Sequence, residues 1–60
     1  MRIYIAEGCA ETSGLIESII KNAYAGCMVK TLFDSKALVD LIRKEGSPDL
    51  LVLGIKISLS

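Results

Sequence analysis

Residues 47–54 read Ser47-Pro48-Asp49-Leu50-Leu51-Val52-Leu53-Gly54. Four consecutive aliphatic residues follow a proline turn and stop at a glycine. A half-solvated strand would alternate polar and apolar residues. An unbroken apolar run of this length is the pattern of a strand covered on both faces, as in the parallel sheets of α/β folds. The rest of the chain therefore has to supply helices for two faces and further strands to pair with.

Working back from that run, the spacing predicts a helix. Ala37, Leu38, Leu41 and Ile42 form one apolar stripe. Asp34 or Ser35 is placed to cap its start, Arg43 and Lys44 complement the dipole of its last turn, and Gly46 ends it. Before it, Cys27-Met28-Val29-Lys30-Thr31-Leu32 reads as a second strand. A first helix precedes that strand, with Leu15, Ile16, Ile19, Ile20, Ala23 and Tyr24 on its stripe. Thr12 or Ser13 is its expected cap, Gly14 weakens its first turn, and Gly26 is its expected terminator. Glu17 and Lys21 stand four apart on the wet face. The chain opens on Arg2-Ile3-Tyr4-Ile5-Ala6, a short buried strand ending at Glu7-Gly8.

The order is thus β-α-β-α-β. Strands alternating with helices imply parallel pairing and right-handed crossovers. The expected fold class is α/β: a three-stranded parallel sheet of order 2-1-3 with one helix on each face, half of a flavodoxin-like doubly wound domain. Residues 1–60 are expected to form a single truncated domain, since domains typically run to about 100–150 residues. A chain this small buries only about 60% of the surface that its unfolded form exposes, so a further stabiliser is expected.

Composition narrows the function classes. Hydrophobic residues make up 52% of the 60 residues and charged ones 23%, with seven Lys+Arg balancing seven Asp+Glu. No basic excess exists to recruit nucleic acid or an anionic membrane. The sixty residues contain no histidine, which excludes a His-centred dyad and a Cys/His zinc site within them. The longest apolar stretch, Leu50 to Ile55, falls far short of the roughly 20 residues of a membrane span. Arg2 is followed by a β-like run and Glu7 rather than by a signal-peptide core. Two cysteines are too few for a disulfide framework, and a cytoplasmic location is expected.

The segments IYIAEGCAETSGLIESII and FDSKALVDLIRKEGSPDLLVLGIKI resemble the receiver domain of two-component response regulators. The first is similar to its opening strand, acidic pair and helix one. The second is similar to its second helix and third strand, with Pro48-Asp49-Leu50 and the apolar run after it the most specific element. The resemblance spans nearly the whole chain but only the N-terminal half of a receiver. It implies phosphoryl transfer from a phosphohistidine to an aspartate, assisted by Mg2+ and a lysine that neutralise the phosphoryl oxygens.

Matched position by position, the resemblance also implies that this chemistry is lost. Gly54 stands at the phospho-acceptor position, Glu7 at the first acidic position and Gly8 at the second. Lys56 and Ile57 replace the next two residues, Ser58 replaces the usual proline, and the later Thr/Ser and Lys have no counterpart in the sixty residues. No catalytic residue, cofactor or metal site is expected, Glu7 being at most the remnant of a cation ligand. The implied function is a non-catalytic receiver-like interaction module in phosphorelay signalling. Its alternatives are a receiver whose acceptor site is rebuilt in a complex, or a fragment without independent function.

The third strand, the most hydrophobic segment, falls at an edge of the expected sheet, and long hydrophobic edges are normally paired or covered. A second copy is the expected partner, through Leu50, Val52, Leu53, Ile55 and Ile57, either by antiparallel pairing about a two-fold axis or by exchange of elements. By analogy a histidine kinase or another signalling protein is a further partner, docking on helix one. From Ile55 the tail alternates apolar and polar, Lys56 and Ser58 taking the polar places, so a longer third strand is an open alternative to a frayed end.

The run Gly8 to Gly14 lacks the lysine of a phosphate loop and the GxGxxG spacing, and reads as a plain βα connection. Cys9 and Cys27 are expected at opposite ends of the sheet. Cys27 is expected as a small core residue, whereas Cys9 lies beside a helix N-terminus, a setting that lowers a thiol pKa.

Overall fold

The computed structural model describes residues 1–54. Strand β1 (Arg2–Ala6) leads through a short turn to helix α1 (Ala10–Ala23), then to β2 (Met28–Leu32), α2 (Ser35–Glu45) and β3 (Leu50–Leu53). The strands form one parallel sheet of order β2-β1-β3. The fold is therefore α/β with the first strand central, in the expected 2-1-3 order.

Side-chain alternation along β1 separates two cores. Ile3 and Ile5 point to the α1 face, where they meet Ile16 and Ile20, with Cys27, Val29 and Val52 at the margin. Tyr4 and Ala6 point the other way, to Leu38, Leu41 and Ile42 of α2 and to Leu32. One helix thus covers each face, and β1 is buried on both.

The turn before β3 has a structural purpose that its motif does not announce. The N–H of Asp49 donates to the carbonyl of Arg2 at 2.8 Å, and the N–H of Arg2 donates back to Oδ2 of Asp49 at 2.7 Å. This reciprocal pair clamps the start of β3 to the start of β1. The Arg2 guanidinium also donates to the carbonyl of Glu45, and the hydroxyl of buried Tyr4 donates to the carbonyl of Gly46 at 3.1 Å. Two carbonyls at the C-terminus of α2, those of Glu45 and Gly46, are thereby satisfied by β1 side chains. Gly46, at φ 90°, is the C-cap, in a backbone region that favours glycine.

Three expectations need correction. Helix α1 begins earlier than its polar residues imply: Cys9 is the N-cap, and Thr12 and Ser13 lie inside the first turns. Ser13 is buried against the sheet, on the same helical stripe as Ile16 and Ile20 and with its hydroxyl unpartnered among the described residues, so the face it shares with them outweighed its capping preference. The α1 stripe is also narrower than its sequence pattern. Leu15 is 68% and Ile19 67% exposed, and Tyr24 lies outside as the C-cap. A helix resting on β1 and β2 buries one flank, and these residues point off it.

The third correction concerns β3. Its apolar run is not covered on both faces, because α1 packs on β1 and β2 and α2 reaches over β2 and the middle of β1. Leu53 is 62% exposed, and Leu50 and Leu51 are also open to solvent. Ile55, Ile57 and the expected extension of the strand through Lys56 and Ser58 lie outside the described residues.

Candidate functional site

Two surfaces carry the residues singled out in the sequence. The first is the C-terminal end of the sheet, where ligands of open α/β folds collect. β1 ends there at Ala6, and the ladder continues one step, the N–H of Glu7 donating to the carbonyl of Leu32 at 2.9 Å. On the other side, the N–H of Gly54 donates to the carbonyl of Ala6 at 2.7 Å. Glu7 and Gly54, distant in sequence, are thus held side by side.

Their side-chain volumes interlock. Glu7 is only 3% exposed, and Oε1 accepts a hydrogen bond from the N–H of Cys9 at 3.1 Å, closing the turn into α1. A Cβ placed on Gly54 would fall on Oε2 and Cδ of Glu7 and lie 3.0 Å from its Cβ. The carboxylate of Glu7 therefore occupies the space into which a side chain at position 54 would project. The constraint is steric, since Gly54 has no positive φ.

Cys9 stands beside this pair at the start of α1. Its thiol pKa is lowered, first by the Thr12 hydroxyl and then by the backbone N–H groups of Thr12 and Glu11, against smaller opposing contributions from burial and from the Glu7 charge. Cys27 precedes β2 at the other end of the sheet, packed against the α1-face core. Both thiols are free. Among the described residues no three Asp, Glu or Cys side chains come together in a way that would hold a metal ion. Gly14, read as part of the connecting loop, lies inside α1. The loop itself is reduced to Glu7, Gly8 and Cys9.

The opposite end of the sheet holds an open cleft of about 420 Å3, lined by Met1, Arg2, Gly26, Met28, Ser47 and Asp49. Arg2 and Asp49 are its charged side chains: the Asp49 carboxylate is held in the clamp between β1 and β3, and the Arg2 guanidinium is held on the carbonyl of Glu45 at the end of α2.

The second surface is β3. Leu50 and Val52 are in register with Ile3 and Ile5 and so face the α1 side, while Leu51 and Leu53 match Tyr4 and Ala6 and face the α2 side. Among the described residues no strand pairs with the far edge of β3. Of the expected contact residues, Leu50 and Leu53 are exposed and Val52 is half-buried; Leu51, absent from that expectation, is exposed as well. The sequence signal for Leu51 was the unbroken apolar run, which marks both faces equally. No helix among the described residues is long and apolar enough to cross a membrane. Comparison of the chain with family models, curated proteins and solved structures finds no match.

Proposed function

We propose that this chain is a non-catalytic, receiver-like interaction module of two-component signalling that works as a homodimer joined through β3. The observation that carries the reading is the state of β3: an uncharged apolar strand, open on both faces, at a free edge of the described sheet. Such an edge templates strand pairing unless charge, proline or a bulge blunts it, and Leu50–Leu53 contains none of these. The signalling context rests on the resemblance of the Pro48-Asp49-Leu50 segment and the strand–turn–helix opening, and a histidine kinase is the partner that this context supplies. A cytoplasmic setting suits the two free thiols.

The non-catalytic half of the proposal is supported by position 54. Glycine offers no atom to phosphorylate, and the neighbouring carboxylate of Glu7 fills the space in which an acceptor would sit. Light scattering at several protein concentrations tests the dimer, which should dissociate on dilution, and Leu53→Lys should weaken it by about tenfold or more, about 1.4 kcal/mol. A compact monomer at every concentration would refute it. Incubation with acetyl phosphate tests the other half: no base-labile acyl phosphate should form, and stable labelling would restore the catalytic reading.

A further inference from the structure

We infer that two copies of the chain pair through β3 in one register, antiparallel, with Val52 facing Val52 of the second copy across a two-fold axis normal to the sheet. The inference deepens the homodimer proposed above and rests on it.

The register follows from which backbone groups are free. In a parallel ladder the N–H and C=O of one residue point to the same side, and successive residues alternate. Gly54 donates to Ala6, and Val52 is in register with Ile5, so Leu50, Val52 and Gly54 turn their backbone toward β1. Leu51 and Leu53 therefore present theirs to the open edge. An antiparallel neighbour must set outward groups against outward groups, and three two-fold registers do so. Centring on Leu51 opposes Leu53 to Asp49, whose N–H is already committed to the carbonyl of Arg2. Centring on Leu53 opposes Val52 to Gly54, which has no side chain to meet it. Centring on Val52 opposes Leu51 to Leu53 twice, and it uses every outward group of β3.

The side chains suit the same register. Leu51 and Leu53 of one copy meet Leu53 and Leu51 of the other on the α2 face, and the two Val52 side chains meet on the α1 face. Apolar and β-branched pairs of this kind are the favourable cross-strand contacts, and no like charges are opposed. A stable dimer needs about 800 Å2 from each partner. That is about a fifth of the 4052 Å2 surface of the chain. With the axis normal to the sheet, the uncovered strips on both faces of β3 meet those of the second copy, so burial draws on both. The product is a six-stranded sheet in which the two α1 helices share one face and the two α2 helices the other.

Disulfide trapping tests the register separately from the dimer. Val52→Cys, Leu51→Cys and Leu53→Cys are made singly in the full chain, and each is checked for dimerisation by light scattering. All are then oxidised beside the parent chain, which controls for Cys9 and Cys27. Across an antiparallel pair, directly opposed Cα atoms lie about 4.5–5.5 Å apart, within disulfide reach, whereas positions offset by two residues are not. The expected result is a covalent dimer from Val52→Cys, with a disulfide joining the two positions 52 by peptide mapping. Its yield should be roughly tenfold or more above the Leu51→Cys and Leu53→Cys yields. Mixing Leu51→Cys with Leu53→Cys chains should give a heterodimeric crosslink. Self-crosslinking at 51 or 53 in place of 52 would overturn the register and leave the dimer standing. A dimer that crosslinks at none of the three would overturn pairing through β3, and a chain that scatters as a monomer would remove the reading beneath it.

Discussion

The carboxylate of Glu7 fills the space beside Gly54, so closely that a Cβ on Gly54 would overlap Oε2 and Cδ. The end of β1 and the end of β3 are coupled through that overlap. Gly54→Ala is expected to destabilise the fold by about 1–3 kcal/mol, the usual cost of forcing extra volume into a filled site. The partner substitution distinguishes this coupling from a backbone effect. In the Glu7→Ala background most of the loss should disappear. Some should remain, because the Cβ of Glu7 is itself 3.0 Å from the added methyl. Urea denaturation of the four chains at one protein concentration reads the cycle, and additive losses would refute the coupling.

Gly14 is the reverse case. It lies inside α1, where glycine is a poor helix former, and a Cβ there would meet nothing within 4 Å. Gly14→Ala should raise stability by about 0.5–1 kcal/mol through the lower entropy of the unfolded chain. A destabilised variant would show that this turn of α1 needs the space.

Tyr4 is fully buried, yet its hydroxyl reaches the C-cap carbonyl of α2. Tyr4→Phe keeps the ring and removes the bond. A loss of about 0.5–1.5 kcal/mol is expected in the same denaturation experiment. Hydrogen exchange should also show earlier opening of the last turn of α2, a local effect that a general packing defect would not produce.

The thiol of Cys9 predicts a pH dependence of known sign. Its folded pKa is lowered, chiefly by the Thr12 hydroxyl. Between the folded and unfolded values the unfolded chain binds more protons, so stability rises with pH there. The gain is complete above the ordinary thiol value and is lost as pH falls through the folded one. Alkylation of Cys9, followed site by site by mass spectrometry, should show a midpoint below that of an ordinary thiol. Thr12→Val should move that midpoint upward, and an unmoved midpoint would show that the hydroxyl is not the cause.

Particular residues show where sequence patterns succeed and where they stop. Asp34 caps α2 as its position implies, its carboxylate accepting from the N–H of Ala37 at 2.7 Å. Leu38, Leu41 and Ile42 turn inward as their spacing implies. The α1 boundary was not legible in the same way. Capping preference favoured Thr12 or Ser13, but the short turn at Glu7-Gly8-Cys9 delivers the chain to the helix three or four residues sooner. The pairing of Glu7 with Gly54 was legible only as two unusual residues at matching places in the receiver pattern. Nothing local in either segment tells that one carboxylate fills the space of a missing side chain.

Period, turn chemistry and apolar run length are local properties, and they sufficed for five elements and parallel pairing, while the 2-1-3 order was one arrangement they allowed. Contact across the sheet is not local. Which side of an apolar strand stays wet depends on where two helices come to rest, and on this sheet both rest toward β1 and β2. Leu50, Leu51 and Leu53 are left in water by that placement, because three strands are wider than either helix can cover.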